Sequence, residues 1–254
     1  MTKTPSTDQP LSKVPQVTLF FWVLKIAATT LGETGGDAVS MSMNLGYLLA
    51  TAIFAAFFLA AVAAQIRADR FHPSLYWLTI VATTTVGTTL ADFADRSLGI
   101  GYAGGSALLL ALLLGSLALW KRTLGTVSVS SVSTPKAEAF YWVTILFSQT
   151  LGTALGDWTA DTQGLGYLGG VGVFVVLLGA VVAAYALTGI SRTVLFWAAF
   201  ILTRPLGAVV GDFLDKPVDV GGLAVSRYTV SVALAAFMVA CIVLVPQRAS
   251  SARH

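Results

Sequence analysis

The chain has 254 residues, of which 56% are hydrophobic and 11% charged, and its mean hydropathy is +0.81. Soluble domains carry about 25% charged residues, so the composition excludes a soluble globular protein and points to an integral membrane protein. The net charge of +3 sits mostly in short linkers and gives no reason to expect nucleic acid, and the lone Cys241 excludes an intramolecular disulfide or a dithiol redox pair.

Residues 1–16 are polar and are expected to form a disordered tail. A first apolar stretch, about 17–39, contains Lys25, Glu33 and Asp37. No signal-peptide core carries such charges, so this stretch reads as a retained helix. Seven more stretches follow at about 44–66, 74–96, 99–120, 138–160, 164–187, 192–214 and 223–245. Each is close to the ~20 apolar residues that a spanning helix needs. None shows the alternation of a transmembrane barrel strand. A Ser/Thr-rich linker, 123–137, separates 17–122 from 138–246, and a tail follows at 247–254. With both termini on one side, that side collects Lys3, Lys13, Arg67, Arg70, Lys121, Arg122, Lys136, Arg192, Arg248 and Arg253. The other side holds Arg96, Lys216 and Arg227. The positive-inside rule then places both termini in the cytoplasm.

One pattern recurs four times. Starting from Trp22, Gly32 lies ten residues on, Asp37 fifteen and Gly46 twenty-four. The same spacing links Trp77 to Gly87, Asp92 and Gly101. It links Trp142 to Gly152, Asp157 and Gly166, and Trp197 to Gly207, Asp212 and Gly221. The copies start 55, 65 and 55 residues apart, so the second pair repeats the first at a distance of 120. The expected fold class is all-α and polytopic. Eight transmembrane helices form four tandem two-helix repeats in two duplicated halves. An even number of spans per repeat makes the repeats parallel, with a pseudo-symmetry axis along the membrane normal.

This arrangement resembles a family of bacterial integral membrane proteins built from four tandem two-helix repeats of unknown function, each with a characteristic Trp. The resemblance covers about 17–245. It implies a multi-pass protein of the bacterial inner membrane, with the four Trp residues and the frame glycines as structural positions.

The first helix of each repeat has two special faces. One is small: Gly32 and Gly36, Gly87 and Ala91, Gly152 and Gly156, Gly207 and Gly211. Small residues four apart let membrane helices approach closely. The other is polar, in steps of four: Thr29, Glu33, Asp37; Thr84, Thr88, Asp92; Gln149, Thr153, Asp157; Arg204, Ala208, Asp212. Such stripes are hidden when the four odd helices face one another, which predicts a central polar pathway lined by the four aspartates. A rise of 1.5 Å per residue puts each aspartate about 22 Å past its Trp and Arg204 about 10 Å past Trp197. If the Trp residues lie in the cytoplasmic aromatic belt, the aspartates lie in the outer leaflet. Lys25 is expected to snorkel to the cytoplasmic edge. Arg204 is expected to pair with a carboxylate of another repeat, Glu33 or Asp37, and Pro205 to kink its helix.

Carboxylates, Thr hydroxyls and Gln149 are hard oxygen ligands. His72, His254 and Cys241 fall outside the polar stripes, so haem and thiolate-rich zinc or copper sites are not expected. "ETGGD", 33–37, is similar to the Glu-x-Gly-Asp signature of a separate family of divalent-cation/proton exchangers for calcium and manganese. It has one extra residue and no following Lys-Thr. That resemblance implies Glu33 and Asp37 as ion ligands. The leading expectation is a transporter or exporter of a small cation, with a divalent metal such as manganese as substrate. Glu33, Asp37, Asp92, Asp157 and Asp212 would exchange ion for proton, and Thr29, Thr84, Gln149 and Arg204 would line the path. No cofactor is firmly implied beyond a bound divalent cation. The expected partners are the lipid bilayer, a small cation or proton, and a second copy in a homo-oligomer.

Three alternatives remain at this stage. A small organic cation or metabolite could be carried in a cation–π pocket of Trp and Tyr. Asp92/Asp95 and Asp212/Asp215 have a D-x-x-D spacing that could hold magnesium in an intramembrane enzyme. A membrane scaffold or regulator of a partner is the third.

Overall fold

The computed structural model describes residues 12–250; residues 1–11 of the expected tail, and 251–254 at the other end, lie outside the described residues. Among the described residues there are eight long α-helices: α1 Leu19–Asp37, α2 Gly46–Arg67, α3 Pro73–Asp92, α4 Tyr102–Leu124, α5 Pro135–Asp157, α6 Gly166–Leu187, α7 Arg192–Asp215 and α8 Arg227–Leu244. Local chemistry sets several starts. The Thr18 and Thr134 side chains accept from the amides of Phe21 and Ala137, capping α1 and α5, and Pro73 and Pro135 open α3 and α5 where a missing N–H costs nothing. The frame glycine twenty-four residues past each Trp has a purpose in backbone geometry. Gly46, Gly101, Gly166 and Gly221 all have φ between 65° and 92°, a region that a Cβ disfavours. Each makes the turn that leads toward the next helix.

The odd helices close a ring. α1 packs on α3 and α7, and α5 packs on the other flanks of α3 and α7. Each even helix leans on the odd helix that follows it: α2 on α3, α4 on α5, α6 on α7, and α8 back on α1. Five helices, α2, α4, α6, α7 and α8, are long and apolar enough to cross a membrane by length and composition. Only 11–22% of the apolar window is buried in the four even helices, against 67% in α7. The even helices are therefore an outer shell, showing side chains such as Leu48, Leu59, Val176 and Val232. α1, α3 and α5 are inner helices, too rich in Thr, Gly and charge to pass the same apolarity test. α7 continues helical through Pro205.

Three expectations need correction. The Trp residues do not form an outward belt. Trp77, Trp142 and Trp197 are buried at one end of the ring, with Trp22 half-buried beside them. They pack edge-on against the aromatic residue that precedes each: Phe21, Tyr76, Tyr141 and Phe196. Edge-to-face pairs of this kind are favoured by the ring quadrupole. The Tyr76 and Tyr141 hydroxyls meet at 2.7 Å. Peptide segments cover this end: Trp197 Nε1 donates to the Val127 carbonyl and Trp77 Nε1 to Gln247. Nor are residues 12–16 or 247–250 loose tails. Ser12 Oγ donates to the Val129 carbonyl at 2.6 Å, and Lys13 Nζ pairs with Glu138 at 2.7 Å. Gln16 and Ser250 donate backbone N–H groups to Arg248 and Val14, around an antiparallel bridge from Pro15 to Ala249. The expected 123–137 linker is shorter, because α4 reaches Leu124 and α5 starts at Pro135.

Candidate functional site

The small face of each odd helix receives the polar face of the next. A Cβ on Gly32 would strike the Thr84 side chain, one on Gly87 would lie 3.0 Å from Gln149 Cβ, one on Gly152 would strike Arg204, and one on Gly207 would strike Thr29. Each glycine is ten residues past its Trp, and each partner is seven past the Trp of the next repeat. The fourth repeat meshes with the first, so the cycle closes. One turn on, the rule recurs: Gly36 faces Thr88 Cβ at 3.1 Å, Gly156 faces Ala208 Cβ at 3.1 Å, and Gly211 faces Glu33 Cβ at 2.9 Å. The two faces read separately from the sequence are thus the two halves of one joint.

This joint carries the polar residues to the ring interior, where they stack in layers. Seven residues past Trp lie Thr29, Thr84, Gln149 and Arg204, and eleven past lie Glu33, Thr88, Thr153 and Ala208. Fifteen past lie Asp37, Asp92, Asp157 and Asp212; all twelve residues are buried. Arg204 Nη2 donates to Glu33 Oε2 at 2.8 Å, to Thr88 Oγ1 at 2.6 Å and to Thr153 Oγ1. Those partners come from the first, second and third repeats at one layer. The guanidinium nitrogen therefore lies on the ring axis.

The same frame is found by comparison with known proteins. Residues 20–71, 75–126, 140–191 and 195–246 match a family described as Repeat of Unknown Function (DUF347). The chain belongs to this family. Each match begins two residues before the frame Trp. No curated protein and no solved structure matches the chain.

The four DUF347 repeats differ where charge is concerned. Repeats two and four carry a cation four residues past the aspartate, one helical turn on, Arg96 and Lys216; Met41 and Asp161 stand there in repeats one and three. Arg96 bridges Asp92 at 2.9 Å and Asp157 at 3.1 Å. Lys216 bridges Asp37 at 2.8 Å and Asp212 at 3.1 Å. Each cation thus ties its own aspartate to that of a neighbouring repeat. Arg227 lies 3.7 Å from Asp37 and 3.3 Å from Asp215. In repeats one to three the aspartate is followed by a π-helical turn, Ala38–Ser42, Phe93–Ser97 and Trp158–Thr162. In repeat four the α-helix runs on to Asp215. Such turns shift side-chain direction by a fraction of a turn.

Glu33, Asp37 and Asp212 converge, each offering one carboxylate oxygen, with these atoms within 4.8 Å of one another. Asp92 and Asp157 form the other pair, around Arg96. Lys216 follows the last residue of α7. Burial acts to lower its pKa, but Asp212 and Asp37 outweigh that and hold it well above the usual lysine value. It therefore stays an ammonium against those oxygens.

Lys25 corrects a fourth expectation. It does not snorkel: it is fully buried, 4.2 Å from the centre of the Phe200 ring, and it donates to Gln149 Oε1 at 3.4 Å. The meshed helices leave it no route to the ring end, which the aromatic residues fill. The Asp92/Asp95 pair does not point at one spot, since Asp95 lies against Gly105 of α4 while Asp92 turns to Arg96, and in the other pair Asp212 meets Lys216 while Asp215 lies near Arg227. The Trp120 and Trp197 indoles pack edge-on against one another, and Trp197 donates to the covering peptide. Sequence reasoning missed Arg96 and Lys216 as partners of the aspartate layer. Their spacing of four from an aspartate was the available signal, since residues one turn apart on a helix are neighbours.

Proposed function

We propose that this protein is an eight-span transporter of the bacterial inner membrane, with both termini in the cytoplasm, that carries a small cation, manganese or a similar divalent ion, in exchange for protons. The observation that supports this reading is the convergence of Glu33, Asp37 and Asp212, three buried carboxylates from two repeats. Three carboxylate oxygens form a hard donor set suited to a hard divalent ion. Buried carboxylates without such a cation need another one, and Lys216 and Arg204 supply it. Lys216 acts as a tethered stand-in. An entering divalent ion takes its place on Asp37 and Asp212 while the ammonium swings toward water, and on return the carboxylates carry protons or take Lys216 back. Arg204 on the axis keeps the pathway shut between the acidic layer and the aromatic end.

The test is manganese flux into proteoliposomes holding the purified full chain. Flux should rise with an opposing proton gradient, and E33Q and D37N should each bring it to the level of empty vesicles. Flux that persists unchanged in both variants would refute the assignment.

A further inference from the structure

Repeat four departs from the others where its odd helix ends. The even helices of repeats one to three begin at the frame glycine or one residue after it, whereas α8 begins six residues past Gly221, at Arg227. The intervening peptide folds back on α7. Leu223 and Val225 donate backbone N–H groups to the Phe213 and Leu214 carbonyls, and Ala224, held at a φ of 52°, donates to Lys216. Beside this peptide lies a cavity of about 310 Å³, whose walls include Ser42, Asp215, Ala224, Ser226, Arg227 and Tyr228. It opens at the surface, where Ser226 and Tyr228 are exposed. A water takes about 30 Å³, so the cavity holds a divalent ion together with its first water shell.

Two charged residues stand in the wall. Asp215 is more than nine-tenths buried, and neither of its carboxylate oxygens has a hydrogen-bond partner. Unpartnered acceptors of this kind are costly. Arg227 Nε lies 3.3 Å from Asp215 Oδ2 and 3.7 Å from Asp37 Oδ2, yet it makes no hydrogen bond to either. The guanidinium instead donates through Nη1 to Ser42 Oγ at 3.2 Å. Lys216 and Arg204 donate to their carboxylates at 2.8 Å, and Arg96 bridges its two at 2.9 and 3.1 Å. Arg227 is thus the most loosely held of these four cations, and the cavity gives it room to move. It is also particular to repeat four. Thirty residues past the frame Trp, Ala52, Ala107 and Gly172 stand where Arg227 does.

We propose that this cavity is the outer portal of the cation pathway, where a hydrated divalent cation takes the Asp215 carboxylate as its first protein ligand and Arg227 swings aside to open the way to Asp37. The proposal rests on the transport reading above and adds the point of entry. The charges balance, because the arriving dication replaces the guanidinium against Asp215 and Asp37. Those carboxylates are never left bare.

The experiment uses the full chain carrying C241S, which removes the one native thiol, in right-side-out membrane vesicles. The first readouts need no transport. Manganese should protect S226C from a neutral, membrane-impermeant thiol reagent added outside, and D215N should remove that protection. V218C, exposed in the same loop, should react equally with and without manganese. D215C should react slowly, and several-fold faster when combined with R227A. The last readout is flux. A polyethylene-glycol maleimide attached to S226C should stop manganese flux, and the same polymer on V218C should not. Loss of the difference between S226C and V218C in protection would overturn the proposal, as would equal D215C rates with Arg and Ala at 227. Protection without flux in any variant would refute transport and uphold the site. Flux that continues past a polymer on S226C would refute the portal and leave transport standing. Should the D215C variants fail to fold, S226C still decides, since the Ser226 side chain caps nothing in α8.

Discussion

Arg204 reaches three other helices through one nitrogen, and its worth is conditional on Glu33. Removing one partner of a buried ion pair strands the other and costs about 3–5 kcal/mol, whereas removing both costs far less. R204M is therefore expected to lower Tm strongly, and R204M combined with E33Q to recover most of the loss; additive losses in this double-mutant cycle would show that the two are not coupled. Lys216 gives a prediction in pH. A raised lysine pKa adds stability that is complete below the unfolded value, 10.5, and fades only as pH rises past it toward the folded one. The Tm difference between wild type and K216M should thus hold or widen, and not shrink, between about pH 7 and 9, because the carboxylates that K216M leaves unpaired can only add to it as pH rises. A difference that shrinks in that window would mean the ammonium titrates there. At this scale the sequence was legible where a charge was unusual among the repeats. Glu33 and Arg204 are each unique at their positions, and each could be named as a partner for the other. Lys25 was unique too, but a distance from Trp22 says nothing of what covers the ring end, so its burial over Phe200 could not be read.

The odd helix is a toothed element, with a glycine notch on one flank and a polar tooth on the other. Filling a notch forces a neighbour to move. G32V, G152V or G207V should destabilise by about 1–3 kcal/mol or abolish folding, since overpacking a tight joint costs that much. The outer shell gives the contrast. A Cβ on Gly115 of α4 or Gly179 of α6 meets nothing within 4 Å. G115A and G179A should be neutral or stabilising by about 0.5–1 kcal/mol, the usual gain for Ala over Gly inside a helix. Thermal unfolding of these five variants in one detergent separates the classes, and equal effects would deny the notch. The helices, the frame glycines and the inward-facing polar stripe were legible because spacing alone specifies a helix face. The meshing was not, because each face was read on one helix and the partner's offset belongs to the packed pair. The π-helical turns after Asp37, Asp92 and Asp157 had no signal in residue type.

In the whole molecule, the charged layers are completed only by partners from other repeats. The first two repeats alone would leave Lys25, Glu33 and the notch of Gly87 without their partners, because Gln149 and Arg204 come from the second half. Expressed separately, residues 1–132 and 133–254 should each be degraded or aggregate, and co-expressed they should co-purify as one folded unit with the Tm of the intact chain lowered only modestly. Stable folding of either piece alone would show that the ring is not the cooperative unit. The duplication and the four-repeat frame were legible at this scale, since a register kept over four copies is a global property of the chain. The closure of repeat four onto repeat one was not, because it joins the most distant segments.

That closure, with α8 resting on α1 and Pro15 bridged to Ala249, has a consequence for chain order. The joints all run in the same rotational sense, each repeat gripping its successor, and the last grips the first just as the others do. The starting point on such a wheel is arbitrary. A circular permutant that opens in the 125–133 loop and links the present termini through a short polar bridge keeps every joint and every ion pair around the axis. Only connectivity changes, so the order of the repeats matters as a cycle rather than as a line.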